Sequence, residues 1–403
     1  MKTLCCYTIS YPFGNLERSF LSLEIKELAR HFDEVVIFPS APNGEVDQLP
    51  SNVSVDKSLS KSVGNFQKKH FMDLFQLLSS DFRGLTAAIR SGQFRRFVSE
   101  SKAIVEKSIA IKRRLETLKL DPNSTVHYSY WMNEWVTSLG LLHMKIASLI
   151  VSRAHGFDLY DERSAYGLQP YRKFQLEKLS GAFTISEVGM KYLQSRYSQY
   201  RNKIRLSKLG VPKPESIPSE IVSAQFTLVS CSSLIPLKRV HLIPRILSEI
   251  KEVQINWIHI GDGPENKRVG DSLVELPSNV SVQMKGALEW NEVMAFYGSQ
   301  FVDLFIHVSE TEGIPVSMME AISYGIPILA CDVGGVSEVC PDSSLLIDAN
   351  VDPKAIARKI EDCLLSGYTR DDDVRKKIRN FWSANYSAEQ NYSSFAEEVI
   401  NLR

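Results

Sequence analysis

Glu312 and Glu320 stand eight residues apart, and between them lies the run Gly313-Ile314-Pro315. Carboxylates accept hydrogen bonds from the hydroxyls of a polyol. With one in a loop and the other inside a helix, the two can reach different parts of one ligand. The apolar run from Phe301 to Val308 predicts a buried strand, the break at Glu312 to Pro315 a loop, and the spacing from Val316 to Tyr324 a helix. Pro315 suits the first helical turn, Gly325 the residue just past the end, and Pro327 prevents continuation. Gly313, Ile314 and Pro315 therefore line a helix start at a strand's carboxyl end. Such a start offers free N–H groups and a positive dipole end to a phosphate or diphosphate, and Gly313 lets the ligand approach closely.

Two carboxylates beside a diphosphate repel it, by about 4 kcal/mol for each unit charge pair at about 4 Å and an effective dielectric of about 20. Cations must therefore converge on the same place. Lys238 and Arg239 follow the predicted strand Phe226 to Cys231 and are the candidates, with Lys238 as a point charge on the diphosphate. His155 follows another predicted strand, Ala147 to Ser152, and lies beside Gly156, where a side chain is placed for ligand contact. Arg153 and Asp158 flank it and either orient it or reach ligand.

Glu312, seven intervening residues and Glu320, followed by AISYGIPILACDVGG, resemble the donor-site signature of the retaining glycosyltransferases of the GT-B fold, the large E-x7-E family 4-like group also called glycosyl transferases group 1. The RAHGFDLY and SCSSLIPLKR runs resemble its polysaccharide-assembly members. The resemblance implies transfer of a sugar from a nucleotide-sugar donor to a glycan or lipid-linked acceptor in a bacterial surface polysaccharide. It implies that Glu312 contacts hydroxyls of the transferred sugar and Glu320 the ribose diol. It also implies that His155 contacts the donor sugar, that the glycine loop at Gly14 lies near the donor phosphates and acceptor, and that the backbone of Gly286 and Ala287 lines the base pocket. One departure stands out: the family usually has an arginine five residues before the lysine, and here that position is Ser233. Arg239 is the candidate substitute.

No Asp-x-Asp follows a strand in a suitable place, and Asp371-Asp372-Asp373 lies in a terminal charge run, so no metal and no other cofactor is expected. A hydrolase using the two glutamates as acid and nucleophile is disfavoured, because it has no use for a phosphate-binding helix start. Two other classes remain open on the same architecture: a non-catalytic nucleotide-sugar-binding partner of another transferase, and a sugar-nucleotide epimerase.

The elements that must position these residues alternate strand and helix through both halves of the 403 residues, which predicts two doubly wound α/β domains facing across a cleft. Residues 1–211 are expected to form an acceptor-side Rossmann-like domain, 212–380 the nucleotide-sugar-binding one after a Pro/Ser-rich linker, and 381–403 a terminal helix that, by the resemblance, crosses back to the first. Leu4 to Ile9, the loop Tyr11 to Asn15 and a helix from Glu17 to Phe32 open a βαβ unit with Gly14 in its first loop. Glu17 and Arg18 at the helix start are equally compatible with a solvent-facing position. The aromatic residues Tyr128, Tyr130, Trp131 and Trp135 are core or stacking faces for a sugar, and Glu187 caps a helix or contacts ligand.

Formal net charge is zero, with 44% hydrophobic and 23% charged residues, which fits a soluble globular protein and argues against nucleic acid as a partner. The charge is uneven. Residues 61–120 hold thirteen Lys or Arg against five Asp or Glu, a local +8. This basic helical insertion, with its interleaved aromatics, either packs its apolar side on the core or lies against an anionic membrane surface. Six cysteines without C-x-x-C spacing fit core residues in a reducing compartment. No signal peptide or membrane-spanning run is recognised, so the expected location is cytoplasmic, with peripheral contact to the inner face of the plasma membrane.

Overall fold

The computed structural model describes residues 2–14, 17–60, 66–143, 148–219, 223–274, 276–350 and 352–402. Expectations for Asn15, for 61–65 and for a strand start at Ala147 lie outside these residues. The chain divides into two compact units, Met1–Lys208 with Glu389–Arg403, and Leu209–Ala388.

Among its described residues unit 1 holds seven parallel strands: β1 (Thr3–Thr8), β2 (Glu34–Pro39), β3 (Val53–Val55), β4 (Thr125–Ser129), β5 (Leu149–Ala154), β6 (Gly181–Thr184) and β7 (Ile204–Leu206), in the order β3-β2-β1-β4-β5-β6-β7. Alternate residues of β1 enter different cores. Leu4 and Cys6 join Leu21 and Ile25 of helix α1 (Arg18–Leu28), while Cys5 and Tyr7 join Trp135 and Leu139. A strand with period-2 side chains and apolar residues on both faces needs cover on both faces, and that produces the doubly wound layer order. Strand order reverses between β1 and β4, so the loops after these two strands bound the crevice where such sheets bind ligands.

Unit 2 repeats the plan with β8 (Gln225–Cys231), β9 (Gln254–Ile260), β10 (Val280–Met284), β11 (Leu304–His307), β12 (Ile328–Cys331) and β13 (Leu346–Ile347), in the order β10-β9-β8-β11-β12-β13, all parallel. Its reversal lies between β8 and β11. The loops carrying Lys238 and Glu312 leave these two strands.

The basic insertion folds as α2 (Phe71–Ser80), α3 (Phe82–Arg90) and α4 (Phe94–Leu118). Leu74, Leu77, Ala88, Phe97, Ile104 and Val105 pack with Tyr166, Tyr171 and Phe174. Other large apolar residues of the insertion stay outside: Phe71, Met72, Phe75, Phe82, Ile89 and Phe94 are exposed. Among the described residues no helix is long and apolar enough to cross a membrane, and all six cysteines are free.

The division between units falls at Lys208 and at Ala388, a few residues from the expected 211 and 380. Leu209 to Val211 belong to unit 2 because Val211 bridges Ser387, and Ala388 N–H donates to Val211 C=O at 3.1 Å. The terminal segment is two helices: Asp372–Tyr386 packs in unit 2, and Ala388–Ile400 places Phe395, Ala396 and Val399 in a core of unit 1. Ser387 separates them because its backbone is extended, with φ −68° and ψ 120°. Asp371 caps the first of these helices by accepting from Val374 N–H at 2.9 Å, so the acidic run marks a helix start.

Candidate functional site

The site in unit 2 is built at the β8/β11 reversal. After β8, a short 3-10 turn at Pro236–Lys238 brings Lys238 Nζ to 2.5 Å from Glu312 Oε1. At the end of β11, His307 Nε2 lies 3.0 Å from the same oxygen, away from an ideal hydrogen-bond direction. Glu310 N–H donates to Leu237 C=O at 2.9 Å, which ties the two loops together. Glu312 is buried. Burial raises its carboxyl pKa, but His307 and the Lys238 charge outweigh that and hold it at about 2. The carboxylate is therefore ionised throughout the physiological range, and among the described residues its Oε2 has no hydrogen-bond partner.

The helix that follows is Val316–Ser323, with Pro315 at its N-cap and Gly325 in the left-handed region at φ +75°. Glu320 on this helix is buried and, among the described residues, its carboxylate accepts one hydrogen bond, from Trp290 Nε1 at 3.0 Å. Burial pushes its carboxyl up to about 7, the indole bond offsetting only part of it. The same sequence signature thus holds two carboxylates of opposite character. Gly286, at φ +71°, pairs across to Gly261, whose N–H donates to Gly286 C=O at 2.8 Å, with Ala287 exposed beside it.

Arg239 is engaged elsewhere. Its Nε donates to Val308 C=O at 2.8 Å, Nη1 to Ala349 C=O at 3.1 Å and Nη2 to Ser309 C=O at 3.3 Å. A guanidinium held by three backbone carbonyls braces the strand ends; it offers no open fork to replace the arginine missing at Ser233.

In unit 1, Gly14 has φ +62°, a conformation glycine takes without penalty. The loop before it wraps a buried carboxylate. Glu17 accepts from Ile9 N–H at 3.1 Å, Ser10 N–H at 2.5 Å, Tyr11 N–H at 2.7 Å and Trp131 Nε1. The solvent-facing alternative for Glu17 is thus incorrect, because the turn after β1 aims three backbone donors at it.

His155 follows β5 with its ring buried against Trp131 and Tyr130, centroids 4.3 and 4.6 Å apart. Among the described residues neither ring nitrogen has a hydrogen-bond partner, and Asp158 Oδ2 is 3.8 Å from Nδ1. Asp158 instead accepts from His155 N–H at 2.6 Å and Met132 N–H at 2.8 Å, fixing the backbone and leaving the ring unpaired. Buried polar groups are normally paired, so an orphaned imidazole is a place for a ligand. Arg153 does not reach such a ligand. It is fully buried, with Nε 3.1 Å from Glu24 Oε1 and Nη1 2.6 Å from Ser207 C=O. Of the aromatic cluster, Tyr128, Tyr130 and Trp135 are core, while Trp131 is half-buried and lies against exposed Phe157, ring centroids 4.7 Å apart. Glu187 is exposed at the start of its helix, 3.4 Å from Lys191, and Ser186 provides the cap.

Residues 214–381, the bulk of unit 2, match the family described as glycosyl transferases group 1. The chain carries a glycosyl transferases group 1 domain. A phosphatidylinositol N-acetylglucosaminyltransferase component from Arabidopsis thaliana is 25% identical over 229 residues, 53% of this chain and 50% of that protein. The putative colanic acid biosynthesis glycosyltransferase WcaL of Escherichia coli K12 is 26% identical over 236 residues, 55% of this chain and 56% of WcaL. The chain thus spans about half the length of the curated relatives it matches. Anabaena HepE, in its complex with UDP-glucose, superposes with a TM-score of 0.67 at 13% identity and covers 99% of both chains. The two parallel-sheet α/β units have the GT-B fold.

Two predictions concern this glycosyl transferases group 1 domain. Gly334 has φ +56°, and a Cβ there would stand 1.9 Å from Glu312 C=O. Gly334→Ala is expected to lower the stability of the domain by about 1–3 kcal/mol, the usual cost of a strained backbone; an unchanged denaturation midpoint would contradict this. Glu320 sets a pH dependence. Because its folded pKa of about 7 lies above the ordinary 4.5, its contribution is fully present below pH 4.5 and is lost as pH rises through 7. The loss amounts to about 3 kcal/mol for a shift of this size. Glu312 behaves oppositely in a separate window: its contribution is present above 4.5 and is lost as pH falls toward 2. Between pH 5 and 8, Glu320→Gln should therefore flatten the fall in melting temperature expected of the wild type, and parallel curves would refute the assignment.

Sequence reasoning missed His307 and left Glu17 undecided between a buried and a solvent-facing position. His307 was detectable as a polar residue closing an apolar strand five positions before Glu312. Glu17 left no such signal.

Proposed function

We propose that the protein is a metal-independent retaining glycosyltransferase. It moves a hexosyl group from a nucleotide-sugar donor to a glycan or lipid-linked acceptor in surface polysaccharide synthesis. The observation that carries this reading is the group at the β8/β11 reversal. There Lys238 and His307 converge on Glu312 immediately before a helix start, and Glu320 is buried on the helix that follows. HepE holds UDP-glucose in its structure and WcaL is named for colanic acid biosynthesis, which supports the substrate class.

In the reaction the bond between the sugar's anomeric carbon and the diphosphate oxygen breaks with its electron pair left on the diphosphate, a bond to an acceptor hydroxyl oxygen forms, and the hydroxyl proton passes to the departing diphosphate. Lys238 and the N–H groups of Gly313 and Ile314 at the helix start meet the charge developing on the departing diphosphate. Glu312, ionised and with Oε2 open, accepts from sugar hydroxyls and fixes the ring. Glu320 takes the ribose diol, its second oxygen adding to the bond from Trp290. The unpaired ring of His155 meets the donor sugar, while the Gly14 loop held by Glu17 and the Trp131–Phe157 pair serve the acceptor side. The basic insertion, with its exposed phenylalanines, meets anionic lipid on the inner face of the plasma membrane.

A second reading, a non-catalytic nucleotide-sugar-binding partner, draws on the engagement of Arg239 and the serine at 233, which leave Lys238 as the one lysine or arginine at Glu312 among the described residues. Donor hydrolysis or transfer that disappears in Glu312→Ala and His155→Ala separates the two. UDP-, GDP- and ADP-sugars at millimolar concentration should raise the melting temperature by several degrees for at least one base, with turnover insensitive to EDTA. If no nucleotide sugar stabilises the protein, the donor site is misassigned; if magnesium restores turnover lost to EDTA, the metal-independent reading fails.

A further inference from the structure

A cavity of about 1110 Å³ opens in unit 1 between the insertion and residues 161–199. Arg83 and Arg90 of α3, then Arg172, Lys173 and Arg196, line it together with Asp81 and Asp161, five positive charges against two negative. Both carboxylates are engaged. Asp81 accepts from Gly84 N–H at 2.9 Å and Tyr171 N–H at 2.6 Å. Asp161 accepts from Gln169 N–H at 2.9 Å and pairs with Arg196 at 3.4 Å. Among the described residues Arg83, Arg90 and Lys173 form no ion pair.

A second observation points to an anion. Arg172 is 2% exposed, and its guanidinium donates to Gln175 and to Asp158 C=O, while Nε has no partner and no carboxylate lies within ion-pair distance among the described residues. A buried cation held only by neutral acceptors is costly, and negative charge in the adjoining cavity offsets that cost.

The approach to the cavity is apolar. Phe82, 72% exposed, lines it, as does Ser79; Phe75, 70% exposed, stands one helical turn before Ser79, and Phe71 one turn before that. A free inorganic anion has no use for this stripe. A hydrocarbon chain would cover it.

We propose that this cavity binds the phosphate or diphosphate head of an amphiphile whose hydrocarbon lies along Phe82, Phe75 and Phe71. The identification of that amphiphile as the lipid-linked acceptor rests on the glycosyltransferase reading; the binding does not.

The test uses the full chain in saturating UDP, so that the donor site is filled. Titration calorimetry compares geranyl diphosphate with inorganic diphosphate. Geranyl diphosphate should bind at least tenfold tighter. R83A/R90A, altering two exposed side chains, should weaken both probes at least tenfold. F75S/F82S should reduce geranyl diphosphate to the inorganic level and leave inorganic diphosphate unchanged. Equal affinity of the two probes in the wild type, or indifference to R83A/R90A, would overturn the proposal. So would co-sedimentation with phosphatidylglycerol vesicles in the absence of geranyl diphosphate binding. Stabilisation by UDP, unchanged in both double variants, shows that the fold and donor site are intact. A failure of donor chemistry leaves the calorimetric result standing.

Discussion

Lys238→Ala is expected to lower the rate of sugar transfer about 10²–10³-fold, the loss usual when one preorganised group facing developing charge is removed, equivalent to about 3–4 kcal/mol. The ammonium group has two tasks. At rest it lies 2.5 Å from Glu312 Oε1 and keeps a buried carboxylate ionised. In the transition state of the proposed transfer its task is to face the departing diphosphate. Arg239 cannot replace it, since its guanidinium is fixed to the carbonyls of Val308, Ser309 and Ala349. The fall should appear mainly in kcat, because diphosphate charge is greatest as the bond breaks. The melting-temperature gain from UDP should shrink as well. Steady-state rates within threefold of the wild type would remove Lys238 from the machinery.

Arg153→Met is expected to destabilise unit 1 by about 3–5 kcal/mol while leaving Glu24 unpaired in the core. Both partners of the Arg153–Glu24 pair are fully buried, and the guanidinium also donates to Tyr128 Oη and Ser207 C=O and lies 4.2 Å from the Phe395 ring. One side chain thus joins α1, β4, the exit of β7 and the C-terminal helix. The pair's own worth is separable from the cost of orphaning its partner. Arg153→Met with Glu24→Gln should recover much of the loss in denaturant midpoint, since the double replacement strands no charge. If the double variant is as unstable as the sum of the single ones, the ion pair is not the source of the cost.

These residues show where reading the chain succeeds and where it stops. The strand, loop and helix around Glu312 were legible because local chemistry decides them: apolar residues form the strand, and Gly325 and Pro327 end the helix. The insertion was legible from its charge and periodicity. Arg153 and Arg239 looked like ligand contacts because they follow strands, where ligands bind. Both are turned onto carbonyls and carboxylates supplied by elements distant in sequence: Glu24 lies 129 residues away and Ala349 lies 110 away. Glu17 failed for the same reason. A glutamate opening a helix looks solvent-facing until the turn after β1 and Trp131 bring donors to it. The unit boundary shifted because a bridge between Val211 and Ser387, 176 positions apart, has no local signature.

That bridge and the helix after it have a consequence for synthesis. Residues 209–388 form one uninterrupted stretch whose core cluster is drawn from within it, whereas the first unit lacks Phe395, Ala396 and Val399 until those later residues are made. The half made first is therefore completed last. A released chain lacking the residues after 388 would hold a complete second unit and a first one with apolar surface open to chaperones.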